Sequence, residues 1–407
     1  MIVKDKCSLC KAKIREIVNL GSSPPANNFL SERYKKTISY PLILDFCDSC
    51  KGLQLRHCLD KEQLYTNYSY LTPDSSSLNK HYEVLVDFLV SKKFLNQGTN
   101  CLEIGSNNGQ LLDFLKPKVN SVLGVDPAEN VASIANEKGI KTVIDFFSED
   151  LAVKLRSKGG MVDLLIARHM FAHNPDPDHM FKGIDLLLKK KGIILIENAY
   201  AFDTFKKGEF DQIYHEHMFY FSVQNMKNYL NSHGYDLNEI IYSYIHGGSM
   251  VFIGSRKGEY PISKEIQLKI HNEEEELRGG KLFHQFKQKI ENTKEKTLQE
   301  IQSDINKGKK VCAYGAPAKA FTMFSVLELN HEKINFCVDT TETKIGKTFP
   351  LFNIPIISEE EMQQQVCDTF LVNAWNYKSE ILEKSNTLFK SKTKLIFPLP
   401  DFEIVYT

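Results

Sequence analysis

The sequence predicts an α/β protein with three regions: a small cysteine-rich N-terminal region, a central doubly wound sheet and a second α/β domain at the C-terminus. Three observations predict this fold. Two Cys-x-x-Cys pairs lie near the N-terminus. Strand and helix patterns alternate from residue 100 onward, as they do in parallel sheets covered by helices. A further strand–turn–helix pattern begins at residue 310, after a long charged helix.

The N-terminal region, residues 1–66, is rich in turn residues and carries the paired cysteines. Paired cysteines in a reducing compartment are typical of a tetrahedral Zn²⁺ site. Four thiolates would fill every coordination position, so the site would be structural. The predicted ligands are Cys7, Cys10, Cys47 and Cys50. The alternatives are two unrelated pairs of thiols, or a redox role, which the absence of a thioredoxin-like strand–helix setting disfavours.

The central region, residues 67–260, begins with a helix from Ser75 to Asn96 whose apolar residues recur on one face. Alternating strands and helices follow. Strands are predicted at Asn100–Ile104, Ser121–Val125, 141–147, Asp163–Ala167 and Gly192–Glu197, with helices opening at Gln110 and Glu129. This order predicts a parallel, doubly wound sheet.

The C-terminal region, residues 261–407, opens with a charged helical pattern over 264–306 that is broken at Gly279–Gly280. Strands are predicted at 310–314, 334–338, 369–372 and 394–397. A second α/β domain therefore ends the chain.

Composition excludes several classes of protein. Lysine plus arginine equals aspartate plus glutamate at 51 each, which argues against a nucleic-acid binder. No apolar run reaches the roughly 20 residues that a membrane span needs, and residues 1–7 lack an apolar signal-peptide core. We therefore expect a cytoplasmic protein that binds neither nucleic acid nor a membrane; its oligomeric state is unknown.

A glycine-rich segment joins the first predicted strand of the central region to its helix. It reads Glu103-Ile-Gly105-Ser-Asn107-Asn-Gly109, and Asp126 ends the next strand. Glycines let the backbone approach a ligand, and an acid at this place can accept hydrogen bonds from a ribose. Glu-x-Gly-x-x-x-Gly is typical of S-adenosylmethionine (SAM) methyltransferases, whereas Gly-x-Gly-x-x-Gly is absent. The alternatives are a dinucleotide site or a turn without a ligand.

Two more strand ends supply predicted SAM contacts. Phe146 lies at the end of the third strand and Arg168 just after the fourth. Ligands of doubly wound sheets bind at the carboxyl ends of the strands. His173, six residues after the fourth strand, is a further candidate there, although it could simply bond to the backbone.

A histidine cluster, Tyr214-His-Glu216-His217-Met-Phe-Tyr, is the most unusual stretch after the glycine segment. A histidine with a pKa of about 6.5 can take a proton at neutral pH, and Glu216 could orient it. The alternatives are a metal site, which the His-x-His spacing disfavours, and an ordinary packing role. His246, in a His-Gly-Gly-Ser segment, could form a further polar rim.

Over essentially its whole length the sequence resembles the NDP-4-keto-deoxysugar C-methyltransferases. The glycine segment alone would fit many methyltransferases, but its combination with the other motifs is far more specific. The carriers are the two cysteine pairs, Glu103–Gly109, Ala167–His173, Tyr214–His217, His246–Ser249, Ala313–Lys319, Val338-Asp339 with Lys344–Gly346, and Ala374–Asn376.

The resemblance implies a zinc domain, a SAM domain and a Rossmann-like C-terminal domain. It also implies methylation of a nucleotide-linked sugar at the carbon next to a C4 ketone, usually C3. His217 would be the general base, with Tyr214, Glu216 and His173 around the sugar, together with either Tyr68 or Tyr70. The implied contacts to the nucleotide sugar are Tyr68, His246, Tyr314, Gly315, Ala316, Lys319 and Asp339.

Two other functions stay open at this point. One is methylation of oxygen or nitrogen in another small metabolite, which needs a base but no adjacent ketone. The other is a zinc-dependent scaffold or nucleic-acid module, against which the balanced charge and the intact glycine segment count.

Overall fold

A computed structural model describes residues 1–32, 34–60, 64, 70–389 and 392–407. Its strands, in chain order, are β1 Ile2–Val3, β2 Arg15–Ser23, β3 Tyr40–Phe46, β4 Leu53–Leu55, β5 His57–Cys58, β6 Asn100–Ile104, β7 Ser121–Asp126, β8 Thr142–Ile144, β9 Val162–Arg168, β10 Leu188–Ala199, β11 Phe219–Tyr220, β12 Tyr235–Ser243, β13 Ser249–Arg256, β14 Val311–Tyr314, β15 Cys337–Val338, β16 Ile356–Ile357, β17 Thr369–Val372, β18 Lys394–Phe397 and β19 Glu403–Tyr406.

The helices are α1 Ser76–Ser91, α2 Gln110–Leu115, α3 Glu129–Glu137, α4 Glu149–Gly159, α5 Pro177–Leu187, α6 Ala201–Lys207, α7 Val223–Ser232, α8 Lys264–Leu277, α9 Lys281–Asn306, α10 Ala320–Val326, α11 Glu359–Gln363, α12 Lys378–Glu383 and α13 Ser385–Leu388. Short 3₁₀ turns, among them Phe171–His173 and Phe210–Gln212, connect several of them. In the described part of the chain, no helix combines the length and apolar character that crossing a membrane requires.

The chain folds into two units that interleave in sequence. The first unit comprises Met1–Arg15, Asp45–Phe202 and Met218–Glu276. The second unit comprises Glu16–Leu44, Asp203–His217 and Leu277–Thr407. The predicted domain limits at residues 66/67 and 260/261 remain predictions.

The first unit is built on a seven-stranded sheet with the order β12-β13-β10-β9-β6-β7-β8. Strands β10, β9, β6, β7 and β8 run parallel, as the alternating pattern predicts. An antiparallel pair, β13 and β12, completes the edge beside β10, and the sequence did not predict it. The chain leaves the central strand β6 toward β7 on one side and later returns to β9 on the other. The carboxyl ends of β6 and β9 therefore form the crevice where ligands of such sheets bind.

Helix α1 covers the first-unit sheet with the apolar face that the sequence predicts. Leu78, Tyr82, Leu85 and Leu89 are buried in the core, and Phe88 packs against it. The Ser75 side chain accepts a hydrogen bond from the Leu78 N–H and so caps the first turn. The helix ends at Ser91, a few residues before the predicted end.

The second unit contains a six-stranded sheet with the order β16-β15-β14-β17-β18-β19. Its strands are parallel except for β19, which pairs antiparallel with β18. The long charged pattern forms α8 and α9, separated where predicted: Gly279 and Gly280 have φ values of 64° and 72°, in the left-handed region that interrupts a right-handed helix. The mixed α/β class with a C-terminal parallel sheet is thus confirmed.

Candidate functional site

The four predicted zinc ligands lie together in the first unit. The sulfurs of Cys7, Cys10, Cys47 and Cys50 all lie within 4.8 Å of one another, and the Cys7–Cys50 and Cys10–Cys47 separations are both 3.5 Å. Both pairs use the same backbone turn. The residue after each pair, Lys11 or Lys51, has a left-handed φ and donates its N–H to the first cysteine's carbonyl.

This arrangement fits Zn²⁺. Zn–S bonds of about 2.3 Å at tetrahedral angles place the sulfurs about 3.8 Å apart. The hydrogen bond with Cys7 raises the pKa of Cys50, so the crowded thiols do not all ionise by themselves, and a divalent cation would favour the four thiolates. Asn225 supports the cluster by donating from Nδ2 to the Cys50 carbonyl at 3.1 Å. In the described residues no other group of histidine, cysteine and carboxylate side chains is placed to hold a metal.

The glycine segment follows β6 at the crevice of the first-unit sheet. Gly105 and Gly109 have φ values of 69° and 73°, and a Cβ atom on Gly105 would lie 2.8 Å from the Met170 side chain. Both positions therefore favour glycine. Gly109 is the N-cap of α2, so the free N–H groups of that helix point toward the loop. A cradle of this shape fits the amino-acid and nucleoside parts of SAM.

Asp126, at the end of β7, fixes the shape of this loop. Its two carboxylate oxygens accept hydrogen bonds from the N–H of Asn107 at 2.8 Å and of Ala128 at 3.0 Å. Burial raises the pKa of Asp126, and the two hydrogen bonds oppose that shift. The carboxylate thus holds the turn, while each oxygen keeps a lone pair that could accept from a ribose hydroxyl.

Residues 70–72 lie directly against the glycine segment. The Asn107 side chain donates to the Tyr70 carbonyl at 3.0 Å and accepts from the Thr72 N–H at 2.9 Å. Asn108 donates to the Thr72 carbonyl. Tyr70 is 39% exposed beside the glycine segment. Its predicted alternative, Tyr68, lies outside the described residues.

Glu103 and Arg168, both predicted to contact SAM, form a buried pair. The Arg168 Nε donates to Glu103 Oε1 at 2.9 Å, and its guanidinium stacks 4.6 Å from the Tyr82 ring centroid. Burial raises the pKa of Glu103, while Arg168 opposes that shift. Glu197 lies 4.0 Å from Arg168 and 2.8 Å from the His81 imidazole. The sequence did not predict Glu197 and His81, because their pairing joins α1 to β10 across the fold.

His173 and His246 both belong to the first unit. His173 ends the 3₁₀ turn Phe171–His173, and its N–H donates to the Met170 carbonyl. His246 has a left-handed φ of 54°, and its ring lies 4.8 Å from that of His169. Phe146 is half-buried just beyond β8. The structure therefore brings His246 to His169, at the carboxyl end of β9.

His217 and Tyr214, in the second unit, form a hydrogen-bonded pair of the kind used in acid–base chemistry. The Tyr214 hydroxyl lies 2.7 Å from His217 Nε2, and His217 Nδ1 lies 2.9 Å from the Gln212 carbonyl oxygen. A carbonyl oxygen only accepts, so Nδ1 carries the proton and donates it. Nε2 is then the basic nitrogen and accepts from Tyr214. The role of Gln212 was not predicted, because a backbone carbonyl leaves no signature in sequence.

His215 and Glu216 lie between Tyr214 and His217 in the chain, and both are buried. Glu216 Oε1 accepts from Asn27 Nδ2 at 2.8 Å, and the His215 ring packs 5.9 Å from that of Tyr40. Two segments far apart in sequence, 16–44 and 203–217, therefore meet in the second unit.

The turn after β14 resembles the glycine segment of the first unit. Gly315 has a φ of 88°, and a Cβ there would lie 2.6 Å from the Ala374 Cβ. Asp339, which follows β15, accepts from the N–H groups of Ala316 at 2.7 Å and Thr341 at 2.8 Å. Lys344 lies 3.9 Å from Asp339. The Tyr314 hydroxyl donates to Glu359 at 2.5 Å.

Lys319, predicted to contact the nucleotide, is buried in the second unit at 7% exposure. Its ammonium group donates to Asn376 Oδ1 at 2.8 Å and lies 3.6 Å from the Trp375 ring centroid. Asp211 Oδ2 lies 3.8 Å away and accepts from Trp375 Nε1 at 2.7 Å. Burial lowers the pKa of Lys319 and raises that of Asp211.

Three family models match successive parts of the chain. The model described as "Putative zinc binding domain" matches residues 7–65, "Methyltransferase domain" matches residues 78–240, and "C-methyltransferase C-terminal domain" matches residues 244–400. The predicted order of an N-terminal zinc-binding region, a central methyltransferase region and a further C-terminal domain is confirmed.

Among solved structures, the magnesium protoporphyrin IX methyltransferase ChlM from Synechocystis PCC 6803 with bound SAM has 15% identity and a TM-score of 0.34, over 44% of this chain and 80% of that one. A SAM-dependent methyltransferase from Clostridium acetobutylicum ATCC 824 has 15% identity and a TM-score of 0.37, over 46% and 94%.

The C-methyltransferase NovU of Streptomyces niveus is 30% identical over 407 residues, which cover 98% of this chain and 97% of that protein. The likeness thus includes the cysteine-rich region, the glycine segment and the C-terminal sheet together. This chain belongs to the SAM-dependent C-methyltransferases, the family of NovU.

Proposed function

We propose that the enzyme methylates a nucleotide-linked 4-keto-deoxysugar at the carbon next to the ketone, C3. Carbon is a poor nucleophile until it loses a proton, and a neighbouring ketone makes that proton acidic. The reaction then needs a base that reaches the C–H bond and a donor that stabilises the enolate oxygen. The observation that carries this proposal is the His217 side chain, whose Nδ1–H is held by the Gln212 carbonyl while Nε2 remains basic.

In this proposal His217 Nε2 takes the proton from the sugar carbon. A positioned base contributes roughly 10²–10⁴-fold to a rate. The Tyr214 hydroxyl, 2.7 Å from Nε2 in this structure, would turn to the developing oxyanion once the imidazole is protonated. A preorganised donor of this kind contributes about 10²–10³-fold. SAM would supply an electrophilic methyl group to the enolate carbon, and the S–CH₃ bond would break as the C–C bond forms, releasing S-adenosylhomocysteine.

The other predicted residues would bind SAM or the nucleotide sugar. Gly105, Asn107, Gly109 and Asp126 would hold SAM, with Phe146 beside it and the Glu103–Arg168 pair beneath the loop. Glu216, His173, His246 and one of Tyr68 and Tyr70 would line the sugar. Tyr314, Gly315, Ala316 and Asp339 would hold the nucleotide, and Lys344 supports this assignment because its cation lies at the same turn.

The proposal is tested by replacing His217 with Asn and following deuterium exchange at the sugar carbon by NMR. The substrates are thymidine, uridine, cytidine and guanosine diphosphate 4-keto-deoxyhexoses, with SAM omitted so that exchange reports proton removal alone. We expect exchange to fall by about 10²-fold or more in His217→Asn. Lys294→Met, which alters a surface ion pair with Glu328, should exchange like the wild type.

Exchange near the wild-type rate in His217→Asn would exclude His217 as the base. Product NMR distinguishes methylation of carbon from methylation of oxygen or nitrogen, since a methyl group on carbon resonates well upfield of one on oxygen or nitrogen. Membership in the C-methyltransferase family favours the carbon product.

A further inference from the structure

Lys319 and Trp375 lie in two sequence motifs, and the structure joins both to one acid. Asp211 is 1% exposed, and its Oδ2 accepts from Trp375 Nε1 at 2.7 Å and lies 3.8 Å from the Lys319 ammonium. The Lys319 cation also stacks on the Trp375 ring and donates to Asn376. A buried carboxylate needs such partners, because an unpaired buried charge is strongly unfavourable. These groups therefore fix the position of Asp211.

Asp211 is the middle residue of the 3₁₀ turn Phe210–Gln212. The next residue, Gln212, supplies the carbonyl oxygen that accepts the Nδ1–H of His217 at 2.9 Å. A second anchor holds the end of the same turn, where the buried Thr322 hydroxyl donates to the Ile213 carbonyl at 2.7 Å. Three side chains of the C-terminal segment, Lys319, Trp375 and Thr322, thus hold the turn that carries the Gln212 carbonyl.

The direction of that carbonyl decides which nitrogen of His217 is basic. A proton held on Nδ1 leaves the lone pair on Nε2, and losing the carbonyl would free His217 to take the other tautomer or to rotate. We infer that Lys319 and Trp375 are positioning residues for His217, acting through the turn at 210–212. This inference rests on the proposed role of His217 as the base. It assigns to Lys319 a role other than direct contact with the nucleotide.

The test measures the His217 imidazole itself in the full chain labelled with ¹⁵N-histidine. Two-bond ¹H–¹⁵N correlations at pH 9 distinguish the Nδ1–H from the Nε2–H tautomer, and the signals missing in His217→Asn identify His217. Trp375→Phe removes the Nε1–H donor but keeps a ring for the Lys319 cation. Lys319→Met removes the cation, and Thr322→Val removes the second anchor with little change in volume. Lys294→Met serves as the control lysine because it pairs at the surface with Glu328.

We expect the wild type and Lys294→Met to show the Nδ1–H tautomer. Trp375→Phe, Lys319→Met and Thr322→Val should show a shift toward Nε2–H or a mixture. With the keto-sugar substrates, kcat should fall by about tenfold in Trp375→Phe, with little change in KM, since part of the base's contribution is lost. If Lys319→Met does not fold, Trp375→Phe and Thr322→Val carry the test.

An unchanged Nδ1–H signal in folded Trp375→Phe and Thr322→Val would overturn the inference. So would a Lys319→Met variant that raises KM alone, because that is the result for a nucleotide contact. Failure of the proposed function looks different: deuterium exchange would persist in His217→Asn, whatever the tautomer spectra show.

Discussion

The turn after β6 in the first unit and the turn after β14 in the second are built alike. Each has a glycine in the left-handed region, and each is fixed by an acid at the end of the next strand. Asp126 accepts from Asn107 and Ala128, and Asp339 accepts from Ala316 and Thr341, with N–O distances of 2.7 to 3.0 Å. The same geometry therefore arises twice from different sequences.

The two turns differ in charge. Lys344 lies 3.9 Å from Asp339 and donates to the Ala316 carbonyl at 3.0 Å. Among the described residues no lysine, arginine or histidine lies within ion-pair distance of Asp126. A turn whose acid has no paired cation suits the ribose and sulfonium of SAM, whereas a turn whose acid lies beside a lysine suits phosphate. Because the two turns share a backbone geometry, their side chains determine which ligand each one binds.

The largest expected effect is on stability, and it differs between Gly315, after β14, and Gly105, after β6. Gly315→Ala should destabilise the second unit by about 3 kcal/mol, since the new Cβ meets the Ala374 backbone at a left-handed φ. Gly105→Ala should cost about 1–2 kcal/mol, because the flexible Met170 side chain can move. Trp375 is the single tryptophan, so its fluorescence during urea unfolding reports the second unit. Circular dichroism reports the whole fold, and equal losses in the two variants would contradict this ranking.

The buried acids of the two units should also differ in their response to pH. Burial raises the pKa of both Glu103 and Glu209, but Arg168 pairs with Glu103 and opposes the shift there, whereas the pKa of Glu209 reaches about 8. A folded-state pKa above the unfolded value gives stability that is present at low pH and is lost as pH rises through about 8. We expect the second unit to lose about 2 kcal/mol between pH 6 and 9.

Glu209→Gln should flatten this dependence in Trp375-detected unfolding, because the amide does not ionise. Glu295→Gln, at an exposed carboxyl on α9, is the matched control and should keep the wild-type slope. A wild-type slope in Glu209→Gln would show that another group is responsible.

The smallest expected effect is on ligand binding, and it tests directly whether the two turns bind different ligands. Asp126→Asn puts an NH₂ group against one of two backbone N–H donors and should weaken SAM binding by about tenfold, or 1.4 kcal/mol. Asp339→Asn should leave SAM binding unchanged and weaken binding of the nucleoside diphosphate by a similar factor. Calorimetry with SAM and with each nucleoside diphosphate measures both. If Asp339→Asn weakens SAM instead, the assignment of the two turns is wrong.

Local patterns predicted much of the candidate site because each pattern has a local physical cause. The Cys-x-x-Cys turns, the glycines with positive φ and the acid at the end of β7 depend on a few neighbouring residues. The break between α8 and α9 follows in the same way from Gly279 and Gly280. The edge pair β12 and β13 was not predicted, because its antiparallel pairing with β10 depends on residues far along the chain.

Residue types at short spacings were enough to predict the α/β class, the clustered cysteines, the positive-φ glycine segment and the family. The folded chain was needed to see that Glu103 pairs with Arg168 and that Lys319 lies against Asp211. It alone showed that the Gln212 carbonyl holds His217. These contacts join residues many positions apart or use backbone atoms that every residue shares. Which residues make these contacts therefore depends on how the whole chain packs, and a local sequence pattern does not predict it.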